Sequence, residues 1–367
     1  MLKRLYVHNF KCLQNFEIQL SGLNSAFLLG KNGSGKSTIF EVLELFQKIG
    51  KGETSLKEMI TESSFHFGNK KLPIEFELDA VISNQTFSYK ISIEFPDTFQ
   101  APKIKSESLS VDGKSILERD GGQASISDVK HFLLDWHHVG LPLILVQSDK
   151  DPLSIFRNWL ENIVILSPCP RYFNKLSRTE SSTISKGAEN IIDWARWLLS
   201  ANPSLYTVMS DFLKFRMNDL DMFKFENAGS DDRRLTFIFK ENSNTQFLDF
   251  YQLSDGEKIF FLAATVIAAQ KNNLNLLCLW DEPDNFISLV ELDHFIVACR
   301  KAFEISGSRA QLIMTSHNAQ VINNFSNHNI FVVKRTSHLS PTRIETAEKI
   351  QYESKTLVDA FDNGELD

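Results

Sequence analysis

Four apolar residues, Ala26 to Leu29, run straight into Gly30-Lys31-Asn32-Gly33-Ser34-Gly35-Lys36-Ser37-Thr38, and an amphipathic pattern from Thr38 to Gln47 leaves it. Strand, glycine-rich loop and helix form the order that the pattern G-x-x-x-x-G-K-[ST] requires, which commits the chain to an α/β fold around a phosphate-binding loop. Glycines let successive backbone N–H groups curl around an anion, and the following helix directs its positive end at the same charge. On this reading Gly30, Asn32, Gly33, Ser34, Gly35 and Thr38 shape the cradle. Lys36 reaches the β- and γ-phosphates, and the Ser37 hydroxyl is a ligand for Mg2+. A glycine-rich turn without phosphate chemistry is the bland alternative, and it leaves the flanking strand and helix unexplained.

Composition narrows the setting. With 367 residues, 43% hydrophobic and 23% charged, the chain has ample material for a globular core. Its longest strongly apolar run, Ile259 to Ala269, is too short to span a bilayer and reads as a buried helix. The start, Met1-Leu2-Lys3-Arg4-Leu5, lacks the apolar segment of a secretion signal. Cys12, Cys169, Cys278 and Cys299 are scattered without a C-x-x-C pair, so neither a zinc site nor a disulfide framework is expected, and a reducing cytoplasm fits. A net charge of −7 argues against a wholly basic nucleic-acid binder. One local exception, Arg171 to Lys186, carries Arg171, Lys175, Arg178 and Lys186; it reads as a solvated mobile loop, with contact to phosphates as the alternative.

Along the chain, period-two alternation marks strands before the phosphate loop and again from Leu72 to Leu117, with turns expected at Ser83-Asn84 and Asp112-Gly113. Helical spacing dominates from Asp128 to Phe215, including Val129–Trp136, with a short strand at Asn162 to Leu166. Strands return over Phe223 to Phe250, and the remainder alternates helix and strand as a parallel α/β core does. The expected fold class is therefore α/β, a P-loop NTPase with a mixed core sheet, an antiparallel β subdomain and a helical lobe. A single head is expected: residues 1–127 as an N-terminal lobe, 128–250 as a mainly helical insertion with strands, 251–346 as the second half of the core, and 347–367 as an acidic tail.

Three further motifs follow. Leu253-Ser254-Asp255-Gly256-Glu257-Lys258 precedes the apolar helix, and Ser254 with Glu257 three residues on makes a capping box. Next, the apolar run Leu276 to Trp280 ends in Asp281-Glu282-Pro283. Two carboxylates at the end of a buried strand are costly unless a cation or hydrogen bonds receive them. Beside a phosphate loop, Mg2+ is the expected recipient, with Asp281 holding the metal's water shell and Glu282 deprotonating the attacking water. Finally, Gln311 to Met314 reads as a strand delivering Thr315-Ser316-His317, with His317 suited to sensing a γ-phosphate.

In this order the four motifs resemble the ABC-type ATPases, and within them the SMC/RecF/OLD-like branch, of which Asn9-Phe10-Lys11 ahead of the phosphate loop is also typical. The resemblance implies an ABC-type head that binds ATP and Mg2+ and dimerises around them. Ser254 and Gly256 of one copy would meet the γ-phosphate held by another. It further implies an ATPase component of a DNA-maintenance or anti-phage defence complex, with a separate effector protein, possible DNA or RNA contact and no membrane partner. No long coiled coil and no TOPRIM nuclease are expected. Gln147, after the apolar Leu143–Val146, is the best candidate for the Q-loop glutamine, and an ordinary strand-end glutamine is the alternative reading there. Two other readings stand beside this one. A transporter ATPase is disfavoured by Asp255 and Glu257 in the signature. A nuclease would use Pro96-Asp97 with Asp112-Gly113-Lys114, which equally reads as a hairpin turn.

Overall fold

Leu5 and Val7 alternate with Arg4, Tyr6 and His8, and the chain opens as a strand with one buried face, β1 (Leu2–His8). The computed structural model describes residues 1–96, 101–127, 130–146, 148–305, 308–316 and 318–366. They divide into two units, Met1–Ile163 with Phe325–Asp367, and Val164–Asn324. The first unit continues with β2 (Phe16–Gln19), β3 (Ser25–Leu29), α1 (Lys36–Gly50) and α2 (Leu56–Met59). Then come β4 (Ile74–Ile82), β5 (Gln85–Glu94), β6 (Lys103–Val111), β7 (Lys114–Asp120), β8 (Gln123–Ile126), β9 (Lys130–Leu133) and α3 (Pro152–Glu161).

All of these strands except β3 form one antiparallel sheet in the order β2-β1-β4-β5-β6-β7-β8-β9. Both expected turns are present. Ser83 (φ 48°) with Asn84 (φ 70°), and Asp112 (φ 49°) with Gly113 (φ 78°), have the paired positive φ angles that two-residue hairpins demand. The Asp112 carboxylate accepts the Thr86 N–H at 2.8 Å, as a turn residue does, and Asp97 lies outside the described residues. One expectation fails. The stretch read as a helix from Val129 to Trp136 contains β9, paired antiparallel with β8. Its apolar spacing permits a helix, but pairing with β8 overrides that local preference. A buried clasp secures this end of the sheet. The Glu107 carboxylate accepts from Tyr89 Oη (2.8 Å), Gly140 N (2.7 Å) and Leu141 N (2.8 Å), and faces Arg119 Nη1 at 3.4 Å. Burial, ahead of the Glu107 charge, pushes the Tyr89 hydroxyl well above its usual range, which keeps it a donor.

The second unit contains β10 (Val164–Leu166), α4 (Ile191–Ala201), α5 (Leu205–Arg216), β11 (Leu220–Asn227), β12 (Arg233–Glu241) and β13 (Asn244–Asp249). It ends with α6 (Asp255–Asn272), β14 (Leu277–Trp280), α7 (Leu289–Phe303), β15 (Gln311–Ser316) and α8 (Ala319–Ile322). Strand β14 runs parallel to β10 on one side and β15 on the other. Covered on both flanks, it is apolar throughout. Strands β11 to β13 form an antiparallel meander whose Phe223 and Phe237, together with Phe250, surround Phe261 of α6 at centroid distances of 5.8, 5.7 and 5.2 Å. The basic segment, expected to be solvated, carries backbone anchors that its composition does not signal. Asn174 N donates to Glu189 O (2.7 Å), Ser177 exchanges backbone bonds with Arg233 (2.8 Å each), and Phe173 stacks on Phe250. Its four cations do remain exposed.

The chain then returns to the first unit as β16 (Ile330–Lys334), β17 (Arg343–Thr346) and α9 (Leu357–Asp362). Strand β16 pairs parallel with β3 and antiparallel with β17, so sheet direction is mixed here as expected. All four cysteines are free thiols. Burial pushes Cys299 up to about 12 and raises Cys278 as well, which makes both poor nucleophiles. Among the described residues no helix is long and apolar enough to cross a membrane.

Candidate functional site

The phosphate-loop motif sits where fully buried β3 gives way to α1. Gly33 (φ 78°) and Gly35 (φ 109°) occupy left-handed backbone that L-residues resist, and Gly35 caps the helix. Gly30 is required for a different reason. A Cβ there would lie 2.3 Å from Val333 O of β16 and 2.7 Å from Ser34 Oγ. No acidic residue occupies the first turn of α1, so nothing on the helix offsets its positive end. Asn32, Gly33 and Ser37 are exposed, Gly35 and Thr38 are half-buried, and Ser34 and Lys36 are buried. The Lys36 ammonium donates to the carbonyls of Gly30 (2.5 Å) and Lys31 (3.2 Å), folded back onto its own loop.

Behind the loop lies a support the motif does not announce. The turn after β1 carries left-handed Asn9 (φ 56°), Lys11 (φ 49°) and Asn15 (φ 48°), which bring Cys12 beneath the loop. Cys12 Sγ lies 3.5 Å from Thr38 Oγ1. Thr342, just before β17, donates its hydroxyl to Ser34 O at 2.8 Å and its backbone N–H to Cys12 O at 2.9 Å. Gly35 accommodates this packing, since a Cβ would fall 2.5 Å from Thr342 Oγ1.

In the second unit, β14 delivers Asp281 and Glu282 at its C-terminal end, where ligands gather in parallel α/β sheets. Asp281 N donates to Leu166 O of neighbouring β10 at 2.7 Å. Glu282 adopts φ 47°, a strained conformation for a residue with a side chain. Two bonds hold it there, from Glu282 N to Thr315 O (3.2 Å) and to Thr315 Oγ1 (3.1 Å). The same Thr315 hydroxyl donates to Asp281 Oδ1 at 2.5 Å, so one fully buried side chain orients both acidic residues. Asn285 Nδ2 steadies the Glu282 carboxylate from its other side at 2.8 Å.

The signature residues open α6 with the expected capping box. Ser254 Oγ accepts from Glu257 N (3.3 Å), and Glu257 Oε2 accepts from Ser254 N (2.7 Å). Ser254 is exposed, and Gly256 allows close approach of Phe286 O, which would lie 3.1 Å from a Cβ. The chain thus brings Gly256 against the segment following Asp281-Glu282. His317 and Gln147 lie outside the described residues. Sequence reasoning gave Cys12, Thr315 and Thr342 no role. Thr315 was at least visible just past a strand expected over Gln311 to Met314, whereas Thr342 stands 308 positions from its partner and belongs to no motif.

Known proteins resemble the chain in sequence pattern and in fold. The family model described as "AAA domain, putative AbiEii toxin, Type IV TA system" matches residues 25–323. No curated protein matches. Among solved structures, the chain is similar to the "SMC head domain from Thermotoga maritima", at 13% identity and TM-score 0.50, covering 96% of this chain and 99% of that one. It is similar to an SmcHead bound to the C-winged helix domain of ScpA, at 15% identity and TM-score 0.61, with 95% and 99% covered. A third similar structure is an Smc head domain with an extended coiled coil bound to the C-terminal domain of ScpA derived from Pyrococcus furiosus, at 15% identity and TM-score 0.57, with 95% and 97% covered. At such identities the likeness is one of fold, that of a P-loop NTPase head.

Proposed function

The chain belongs to this AAA-domain family, and on that premise we propose that it binds ATP with Mg2+, hydrolyses it, and dimerises head to head around it. The phosphate loop carries the reading. Two left-handed glycines, an uncompensated helix start and a buried lysine already bonded to loop carbonyls make a cradle for a triphosphate. Lys36 exchanges its carbonyl partners for the β- and γ-phosphates, and Ser34, Gly35, Ser37 and Thr38 offer N–H and hydroxyl donors. Ser37 and Asp281 offer hard oxygen donors, the ligand type Mg2+ selects. When bound, the metal supplies charge neutralisation for the phosphates. Glu282 serves as the base that takes a proton from the attacking water, its strained backbone fixed by Thr315. His317 senses the γ-phosphate, while Ser254 and Gly256 cap the nucleotide held by a second copy.

The resulting cycle is a switch, with ATP closing a dimer and hydrolysis releasing it. We place it in the cytoplasm, in a DNA-maintenance or anti-phage defence complex whose chemistry on DNA or RNA belongs to a separate effector. Two of the similar heads are bound to domains of ScpA, which supports a protein partner for this chain. Substituting Lys36→Ala removes the main charge-assisted phosphate contact and is expected to weaken ATP binding roughly ten- to hundredfold. Equilibrium titration with a fluorescent ATP analogue checks this, and unchanged affinity would overturn the assignment.

A further inference from the structure

We propose that Thr342 is a positioning residue for the phosphate loop, fixing the Ser34–Gly35 peptide so that the Gly35 N–H faces the phosphates. The inference rests on the reading of that loop as the ATP site. In a trans peptide the carbonyl oxygen and the following N–H point to opposite sides. Thr342 Oγ1 captures Ser34 O at 2.8 Å from the buried side, which turns the Gly35 N–H away from Thr342. Gly35 has no Cβ to limit rotation of this peptide, and its φ of 109° is accessible chiefly to glycine. An external clamp therefore decides which way the N–H points.

The clamp is itself held rigid. Thr342 N donates to Cys12 O at 2.9 Å, and Arg343 Nη1 donates to Gln14 O at 3.1 Å, tying the start of β17 to the turn after β1. On the other side, Arg335 Nε bonds Ser340 O at 2.7 Å and Arg335 Nη2 bonds His338 O at 2.5 Å, closing the β16–β17 connection on itself. Thr342 is completely buried, so no water competes for its hydroxyl. Its methyl carbon would lie 3.1 Å from a Cβ at Gly35, so the hydroxyl and the methyl can be separated by substitution.

Thr342→Val keeps the shape and removes the hydroxyl; Thr342→Ser keeps the hydroxyl and removes the methyl. Affinity for Mg2+-ATP is expected to fall roughly tenfold in Thr342→Val, the scale of one lost hydrogen bond, and to stay within about twofold of wild type in Thr342→Ser. Equal losses in both variants would mean packing alone, and wild-type affinity in Thr342→Val would overturn the proposal. Should Thr342→Val not fold, wild-type protein labelled with 13C-carbonyl serine and 15N-glycine decides, because only Ser-Gly amides are selected. The Ser34–Gly35 signal must move when Mg2+-ATP is added, and a signal that stays put at saturation overturns the proposal. Failure of wild-type protein to bind ATP at all would instead remove the premise.

Discussion

Thr315 shows how much one hydroxyl can determine. It accepts from Glu282 N and donates to Asp281 Oδ1, so both carboxylate residues take their orientation from a side chain with no exposure. Replacing it with valine leaves the Glu282 N–H with one acceptor fewer and Asp281 without its donor, a local cost of about 1–3 kcal/mol. The expected outcome is a turnover reduced roughly tenfold or more with ATP affinity within about twofold, since the phosphate loop is untouched. Steady-state hydrolysis beside equilibrium binding checks this, with Thr315→Ser expected to restore turnover. Equal loss of binding and turnover would contradict it. At this scale legibility was uneven. Lys36, Ser37, Asp281 and Glu282 stood out because their chemistry demands fixed spacing along the chain. Thr315 and Thr342 act through distances that only folding creates, and threonine in isolation signals nothing.

Elements were most legible where local chemistry dictates geometry. Asp112-Gly113 forms its turn because both residues tolerate positive φ, and Ser254 with Glu257 caps α6 because the pair satisfies two orphan backbone donors. The strand β9 was illegible because its identity comes from the β8 edge, and the segment from Arg171 to Lys186 hid its anchors in backbone bonds to Glu189 and Arg233. Glu107 was hidden too, as one carboxylate in a strand of alternating residues. Its clasp joins β5, β6 and β7 to the turn around Gly140, and Arg119 adds bonds to the carbonyls of Gly121 (2.7 Å), Asp135 (2.8 Å) and His138 (2.7 Å). Glu107→Gln removes the counter-charge of a fully buried guanidinium that keeps its three carbonyl acceptors, which should cost about 2–4 kcal/mol. Urea unfolding measures it, and a loss under about 1 kcal/mol would show the clasp to be dispensable.

For the whole molecule, the sequence conveyed the class of fold because the order of four motifs is itself a topological statement. It conveyed less about the antiparallel sheet, whose long run of hairpins follows from pairing of neighbours and carries no chemical motif. The central claim is that ATP joins two copies, with Ser254 of each closing over the other's nucleotide. Glu282→Gln should retain ATP binding while losing the base that ends the closed state. The decisive measurement is light scattering of Glu282→Gln protein with and without Mg2+-ATP. Our account predicts a doubling of mass on adding nucleotide, abolished by adding Lys36→Ala to the same chain. A mass that stays monomeric at saturating ATP would contradict it.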